Sequence, residues 1–355
     1  MTTISIAMAT YNGERFIRRQ LDSFARQTLL PSELIVCDDG STDSTIAIVR
    51  DFSQSSPFPV FVFNNSTRLG YTANFLLAAQ KCHGDLIAFS DQDDEWFPEK
   101  LARVLEASRE SEAVLVAHAV EWMDENDKPM GIVYPTDRRF RKFLQNNDYS
   151  GHAILIKRSL LEMGASSLSP DEYKKVAGNV EFGHDVLLLE IANALDKVHF
   201  IPEVLMRWRA YSDDEHAWIQ LLQTPPHAKT SIWKRIFPPD LADAYLAGEG
   251  HYRKHSILLS RMLRDIAAYE GDTTVAHDRL TKKMDLMTKR AEVMRLRASY
   301  YGRLSRKARI KLMLQGAAMG QYRKAAKGGV GIHNALRDIL ACIVYPSVPS
   351  DDKLS

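Results

Sequence analysis

The chain has 355 residues, 45% of them hydrophobic and 26% charged, with a formal net charge of +1. That is an ordinary globular composition, long enough for one large domain with an appendage or for two domains. No window approaches the roughly 20 apolar residues of a membrane span, no basic-then-apolar leader opens the chain, and Cys37, Cys82 and Cys342 lack metal-like spacing. A cytoplasmic protein with reduced thiols, soluble or peripheral at the inner face of the membrane, is the expectation. Charge is uneven: residues 279–327 hold 15 Lys and Arg against Asp285 and Glu292, so an acidic body carries a basic tail.

Thr3–Ala9 is a short β-type run ending in the turn Tyr11-Asn12-Gly13. From Glu14 to Gln27, Phe16, Ile17, Leu21 and Phe24 recur at helical spacing. Pro31 breaks the chain before a second strand, Glu33–Cys37. The turn-rich segment Asp38–Asp43 follows, with Ser41 or Asp43 suited to cap a helix from about Ser44 to Phe52. Val60–Phe63 predicts a third strand, 64–70 a polar loop and 71–81 a helix. Leu86–Ser90 predicts the fourth strand, 98–111 another helix and Val114–Ala117 a further strand.

Strand and helix alternating at this spacing predict right-handed crossovers and a mostly parallel α/β sheet with helices on both faces. Loops that follow successive parallel strands lie along one sheet edge. Three of them carry unusual chemistry: Thr10–Gly13, Asp38–Asp43 and Asp91–Glu95. There is no G-x-G-x-x-G after the first strand and no G-x-x-x-x-G-K-[ST], so the dinucleotide-binding and P-loop forms of the fold are excluded. The third loop is the most distinctive. An apolar run, Leu86 to Phe89, stops at Ser90, and four acids follow within five residues: Asp91, Asp93, Asp94 and Glu95. Carboxylates this close repel one another, so something positive belongs among them. A hard divalent cation, Mg²⁺ or Mn²⁺, that leaves positions open to substrate phosphate fits that need. The competing reading is a solvated acidic turn before the helix that Pro98 starts.

Five segments in order decide between these readings. Ala9-Thr-Tyr-Asn-Gly13, Gln27-Thr28, Glu33-Leu-Ile-Val-Cys-Asp-Asp-Gly-Ser-Thr-Asp43, the Asn65–Phe75 segment and Gly84–Trp96 resemble family 2 glycosyltransferases. The resemblance is densest over 3–105 and runs to about 212. It implies a GT-A fold and inverting transfer from a nucleotide-diphosphate sugar, UDP- or dTDP-linked, with a divalent metal. The form Ser90-Asp-Gln-Asp-Asp-Glu-Trp96 is similar to bacterial enzymes of O-antigen or capsule synthesis, including rhamnosyltransferases, whose acceptors are glycans or lipid-linked glycans.

By this resemblance Thr10, Tyr11 and Asp39 would hold the base and ribose, and Arg68 would reach the diphosphate. A carboxylate accepts from the imide N–H of a pyrimidine, and Tyr11 offers an aromatic face. Asp93 would bind the metal directly, with Asp91 on the metal side through ribose or water contacts. An inverting transfer needs a general base, for which the resemblance points to Asp185 in Glu181-Phe-Gly-His-Asp185. Asp185 as an N-cap is the structural alternative; Glu181 is the fallback base, and His184 would assist. Gly151 and His152, in Ser150–Ala153, would line the sugar pocket, and 122–149 would form an acceptor-side insertion. One departure concerns the metal. Many relatives carry Y-R-x-H where this chain reads Trp208-Arg209-Ala210-Tyr211, which removes a histidine; either the metal would be more solvated or His216 would take that place.

The catalytic domain is expected over 1–223 and a helical, basic region over 224–355, after the breakers Pro225-Pro226 and Pro238-Pro239. Trp233 and Phe237 beside Lys234 and Arg235, together with the basic tail, suit an anionic membrane surface; ordinary amphipathic helices with their cations in water are the alternative. No nucleic-acid recognition module is present. Two other functions compete. A nucleotidylyltransferase needs a Gly-rich basic loop after the first strand, which is absent. An inactive relative acting as a nucleotide-binding scaffold conflicts with the intact Asp39, Asp91, Asp93 and Asp185.

Overall fold

The computed structural model describes residues 2–137, 149–165 and 183–211, then 273–301 and scattered helical positions between 250 and 317. Two compact units form: Met1–Glu215 with Arg264–His277, and His216–Leu263 with Asp278–Ser355. The expected boundary at 223/224 lies outside the described residues, as does the segment 231–237 that carries Trp233 and Phe237.

The first unit is built on one sheet. Its strands are β1 (Ile4–Thr10), β2 (Glu33–Asp38), β3 (Val60–Asn64), β4 (Leu86–Ser90), β5 (Glu95–Trp96), β6 (Leu115–Met123), β7 (Pro129–Tyr134), β8 (Ile154–Lys157) and β9 (Val198–Arg209). They lie in the order β3-β2-β1-β4-β8-β6-β9-β5, with β7 paired to β6. β1 to β4 run parallel, as do β6 and β9; β8, β7 and β5 pair antiparallel. β2 and β4 are buried along their whole length, which is why they read as unbroken apolar runs rather than alternating ones.

Helices α1 (Ile17–Ala25), α2 (Thr45–Ser55), α3 (Tyr71–Lys81) and α4 (Lys100–Glu110) connect the parallel strands. The chain steps outward from β1 to β2 to β3, then returns across β1 to β4. Right-handed crossovers therefore place α1 and α2 on one face and α3 on the other. The reversal opens a crevice at the carboxyl ends of β1 and β4, where such sheets bind ligands. Two short helices, α5 (Arg158–Ala165) and α6 (His184–Leu195), follow β8 and precede β9.

Several expectations are corrected. Neither Ser41 nor Asp43 is the N-cap of α2: Ser44 holds that place, while Asp43 accepts from Thr45 N at 3.0 Å and Ser41 donates to Asp38. The N-cap of α6 is Gly183, so Asp185 sits inside the first turn instead of capping it. Trp122 is buried in β6, 5.0 Å from Trp208, and 129–134 extend the sheet as β7; residues 138–148 lie outside the described residues.

The second unit is helical where described. Within the helix Thr274–Tyr301, Leu280, Met287 and Ala291 are buried at helical spacing, along with Leu259 and Met262 earlier in the chain. Among the described residues, no helix is long and apolar enough to cross a membrane.

Candidate active site

The crevice between β1 and β4 is closed by a side-chain clip. Gln92 accepts from Tyr11 N at 2.9 Å and donates to Tyr11 O at 3.0 Å, so the β1 loop and the acidic loop move as one piece. Gly13 leaves room for the clip: a Cβ there would lie 2.3 Å from Gln92 Oε1 and would push the end of that side chain aside. Tyr11 is 37% exposed, and the Arg68 guanidinium stacks 3.9 Å from its ring centroid. These two residues, expected on base and diphosphate, are thus neighbours.

Thr10 and Asp39 have structural partners. Thr10 donates to Asp38 Oδ1 at 2.8 Å. The Asp39 carboxylate is 4% exposed and accepts from Asn65 Nδ2, Leu69 N and Gly70 N, which ties the loop carrying Arg68 to the end of β2. Gly70 makes this possible with φ +86, where a side chain would be strained.

The four acids after β4 are sorted to different partners. Glu95 leaves the cluster for Arg19 at 2.9 Å, with Arg26 and Arg207 at 3.6 and 3.7 Å. Asp94, 1% exposed, accepts from Arg209 N at 3.1 Å, and its Oδ2 has no partner among the described residues. Asp93 accepts from the Tyr211 hydroxyl. Asp91 Oδ2 lies 3.2 Å from His152 Nδ1. Burial, then the charge of Asp91, pushes the Asp93 carboxyl up to about 6. Burial and both neighbouring acids raise Asp94 far above the ordinary range. Asp91 is held low: burial opposes this, but the hydrogen bond with His152 and the surrounding positive charge outweigh it. Such divergence among adjacent carboxyls marks functional sites more often than structural ones.

Much of the counter-charge comes from residues whose role the sequence left unread. Lys100 opens α4 yet is 1% exposed; its Nζ donates to His152 O at 2.9 Å and lies 3.8 Å from the Trp96 ring centroid. Burial depresses its ammonium strongly against the pull of Asp94 and Asp91. Arg209, also 1% exposed, donates from Nε to Asp93 O and pairs with Asp127 Oδ1 at 2.7 Å. Trp208-Arg209-Ala210-Tyr211 drew notice for a missing histidine; its arginine is what braces the acidic loop.

The second expected cluster also converges here. Gly151 N donates to Asp185 Oδ2 at 3.1 Å, and Val186 N to Asp185 Oδ1 at 2.8 Å. His184 lies between Phe75 and Phe89 at centroid distances of 4.3 and 4.7 Å, and burial holds its pKa low. The turn Gly151–Ala153 therefore touches both halves of the site: Asp185 through Gly151 and Asp91 through His152. Glu181 and His216 lie outside the described residues.

This sheet, with acids at its switch point and an aromatic–arginine pair beside them, is the GT-A nucleotide-diphospho-sugar transferase fold. The same fold occurs in a mannosyltransferase of Pyrobaculum calidifontis solved with GDP-Man and Mn²⁺, at TM-score 0.50 and 17% identity over 97% of this chain and 86% of that one. Residues 5–164 match the model of glycosyl transferase family 2. Relatives include the UDP-Glc:α-D-GlcNAc-diphosphoundecaprenol β-1,3-glucosyltransferase WfgD of Escherichia coli, 29% identical over 44% of this chain and 61% of that protein. The dTDP-rhamnosyl transferase RfbG of Shigella flexneri is 34% identical over 28% of this chain and 36% of its own length. The chain thus spans less than two thirds of either relative.

Proposed function

We propose that the protein is an inverting glycosyltransferase that moves a sugar from a UDP- or dTDP-linked donor to a hydroxyl of a glycan or lipid-linked glycan in bacterial surface polysaccharide synthesis. The observation that carries this reading is the shared turn: Gly151 holds Asp185 while the next residue, His152, meets Asp91. A base and an acid cluster fixed to one short turn suit a displacement that needs a deprotonated acceptor on one side and a stabilised leaving group on the other. The names of WfgD and RfbG support a nucleotide-sugar donor and, for WfgD, a lipid-linked acceptor.

In this reading Tyr11 stacks on the base and Thr10 lines its edge. Asp39 contributes through the loop that carries Arg68, and Arg68 turns from the Tyr11 face to the diphosphate as the base takes its place. Asp185 accepts the acceptor proton, its carboxylate aimed by two backbone N–H groups. Asp91 and Asp93 are the residues that would hold Mg²⁺ or Mn²⁺; close carboxylates with a buried, unpartnered Asp94 oxygen fit a cation. The ion would supply Lewis-acid stabilisation of the departing nucleoside diphosphate. The basic C-terminal region would rest on an anionic membrane surface.

Calorimetric titration of UDP and dTDP, with and without Mn²⁺, into wild type and Asp93→Ala tests this. Metal-dependent binding by wild type alone is expected, and it selects the nucleotide. No binding by wild type under any condition would overturn the transferase reading.

A further inference from the structure

The acidic loop has three partly satisfied carboxylates and one histidine directly against them. We propose that His152 is the nitrogen ligand of the divalent ion, with Asp91 and Asp94 as its carboxylate neighbours. This deepens the transferase reading and rests on it for the nucleotide that accompanies the ion.

Geometry is the first argument. One ligand atom from each of Asp91, Asp94 and His152 lies within 4.8 Å of the others. His152 Nδ1 and Asp91 Oδ2 are 3.2 Å apart. An octahedral ion with bonds of about 2.1 Å sets adjacent ligands about 3 Å apart, so these two atoms already have the spacing of neighbouring ligands. The donor Nδ1 is available in the neutral tautomer that carries its proton on Nε2.

Unmet hydrogen-bonding capacity is the second. Asp94 is 1% exposed, and its Oδ2 is unpartnered among the described residues. Buried polar atoms are seldom left so unless a ligand or ion completes them. Tyr211, the residue that stands in place of a histidine at the end of β9, is already engaged with Asp93.

Rigidity is the third. Lys100 Nζ grips His152 O at 2.9 Å, Gly151 N is tied to Asp185, and the His152 ring lies within 12° of parallel to Trp208 at 5.9 Å. A ligand held this way needs little ordering when the ion binds. The set also has a preference. An imidazole nitrogen among carboxylates favours Mn²⁺ over Mg²⁺, which prefers oxygen alone. The same turn would then couple the ion to the base, since movement of His152 carries Gly151 and Asp185 with it.

The test is pulsed EPR on the full chain with Mn²⁺ and UDP, and again with dTDP. Wild type should show nitrogen modulation that changes when histidine is ¹⁵N-labelled. His152→Gln should lose it and bind Mn²⁺ at least about tenfold more weakly while still binding nucleotide. The labelled wild type alone decides whether any histidine ligates, so a poorly folded variant does not stop the test. Bound Mn²⁺ and nucleotide without histidine nitrogen, or with a nitrogen signal that survives His152→Gln, overturns the ligand assignment and leaves the transferase reading intact. Nucleotide binding without Mn²⁺ uptake overturns this inference together with the metal dependence.

Discussion

Gly151→Ala probes the turn that joins the two halves of the site. A Cβ there would lie 2.4 Å from His184 Nε2 and 2.7 Å from Cε1. Ordinary contact is about 3.5 Å, so roughly 1 Å must open. His184 has no room to give way: it is 5% exposed and held between Phe75 and Phe89. The turn moves instead, and Gly151 N leaves Asp185 while His152 leaves Asp91. Overpacking of this size costs about 1–3 kcal/mol, and misplacing a reacting group by about 1 Å costs about 100-fold in rate. Urea unfolding followed by tryptophan fluorescence reads the first quantity. Initial rates of nucleotide release with a soluble acceptor read the second. A variant within about 0.5 kcal/mol and about twofold of wild type would refute the reasoning, because surface changes of no consequence fall in that range.

Other perturbations separate the parts. In Gly183→Ala the new Cβ meets only the end of the Asp185 side chain, 2.1 Å from Oδ1; stability should change by less than about 1 kcal/mol while kcat falls about tenfold or more, measured by the same two assays. Lys100→Met removes the cation beside Asp94 and should destabilise by about 3–5 kcal/mol. With Asp94 raised above its unfolded value, the folded state holds the extra proton, so stability is lost as pH rises through that value. Lys100 is one of the charges that lower the Asp94 value, so without it that value rises further and the deficit of Lys100→Met should grow with rising pH in urea melts; the opposite trend would refute the assignment. In the proposed reading the Asp93 carboxylate helps hold Mn²⁺, so calorimetric affinity should decline as pH falls through about 6. Tyr211→Phe removes a hydrogen bond that favours the carboxylate, and the decline should move to higher pH. Tyr11→Ala should weaken nucleotide binding by about 1–3 kcal/mol through lost stacking, with Mn²⁺ binding unchanged.

Local pattern determined a good deal of this protein. Helix Tyr71–Lys81 and strand Leu86–Ser90 fall where periodicity and turn residues put them, because period and turn chemistry are properties of neighbouring residues. Parallel topology then sends the Tyr11, Asp39 and Asp91 loops to one edge, so the crevice was legible before any contact was known. The neighbours of each acid were not. Glu95 goes to three arginines from the first helix with its C-cap and from β9, Asp94 to the backbone of Arg209, and Asp91 to a histidine 61 positions along the chain. Asp185 reads as a cap or a base from its neighbours alone; only the placement of Gly183 at the cap removes the first reading. β8 decides most of this by entering antiparallel between β4 and β6, which carries Gly151 and His152 to the acidic loop. A four-residue strand carries no local signal of its partners. Its place follows from which apolar edges remain uncovered once the other strands have paired, and that is a property of the whole sheet.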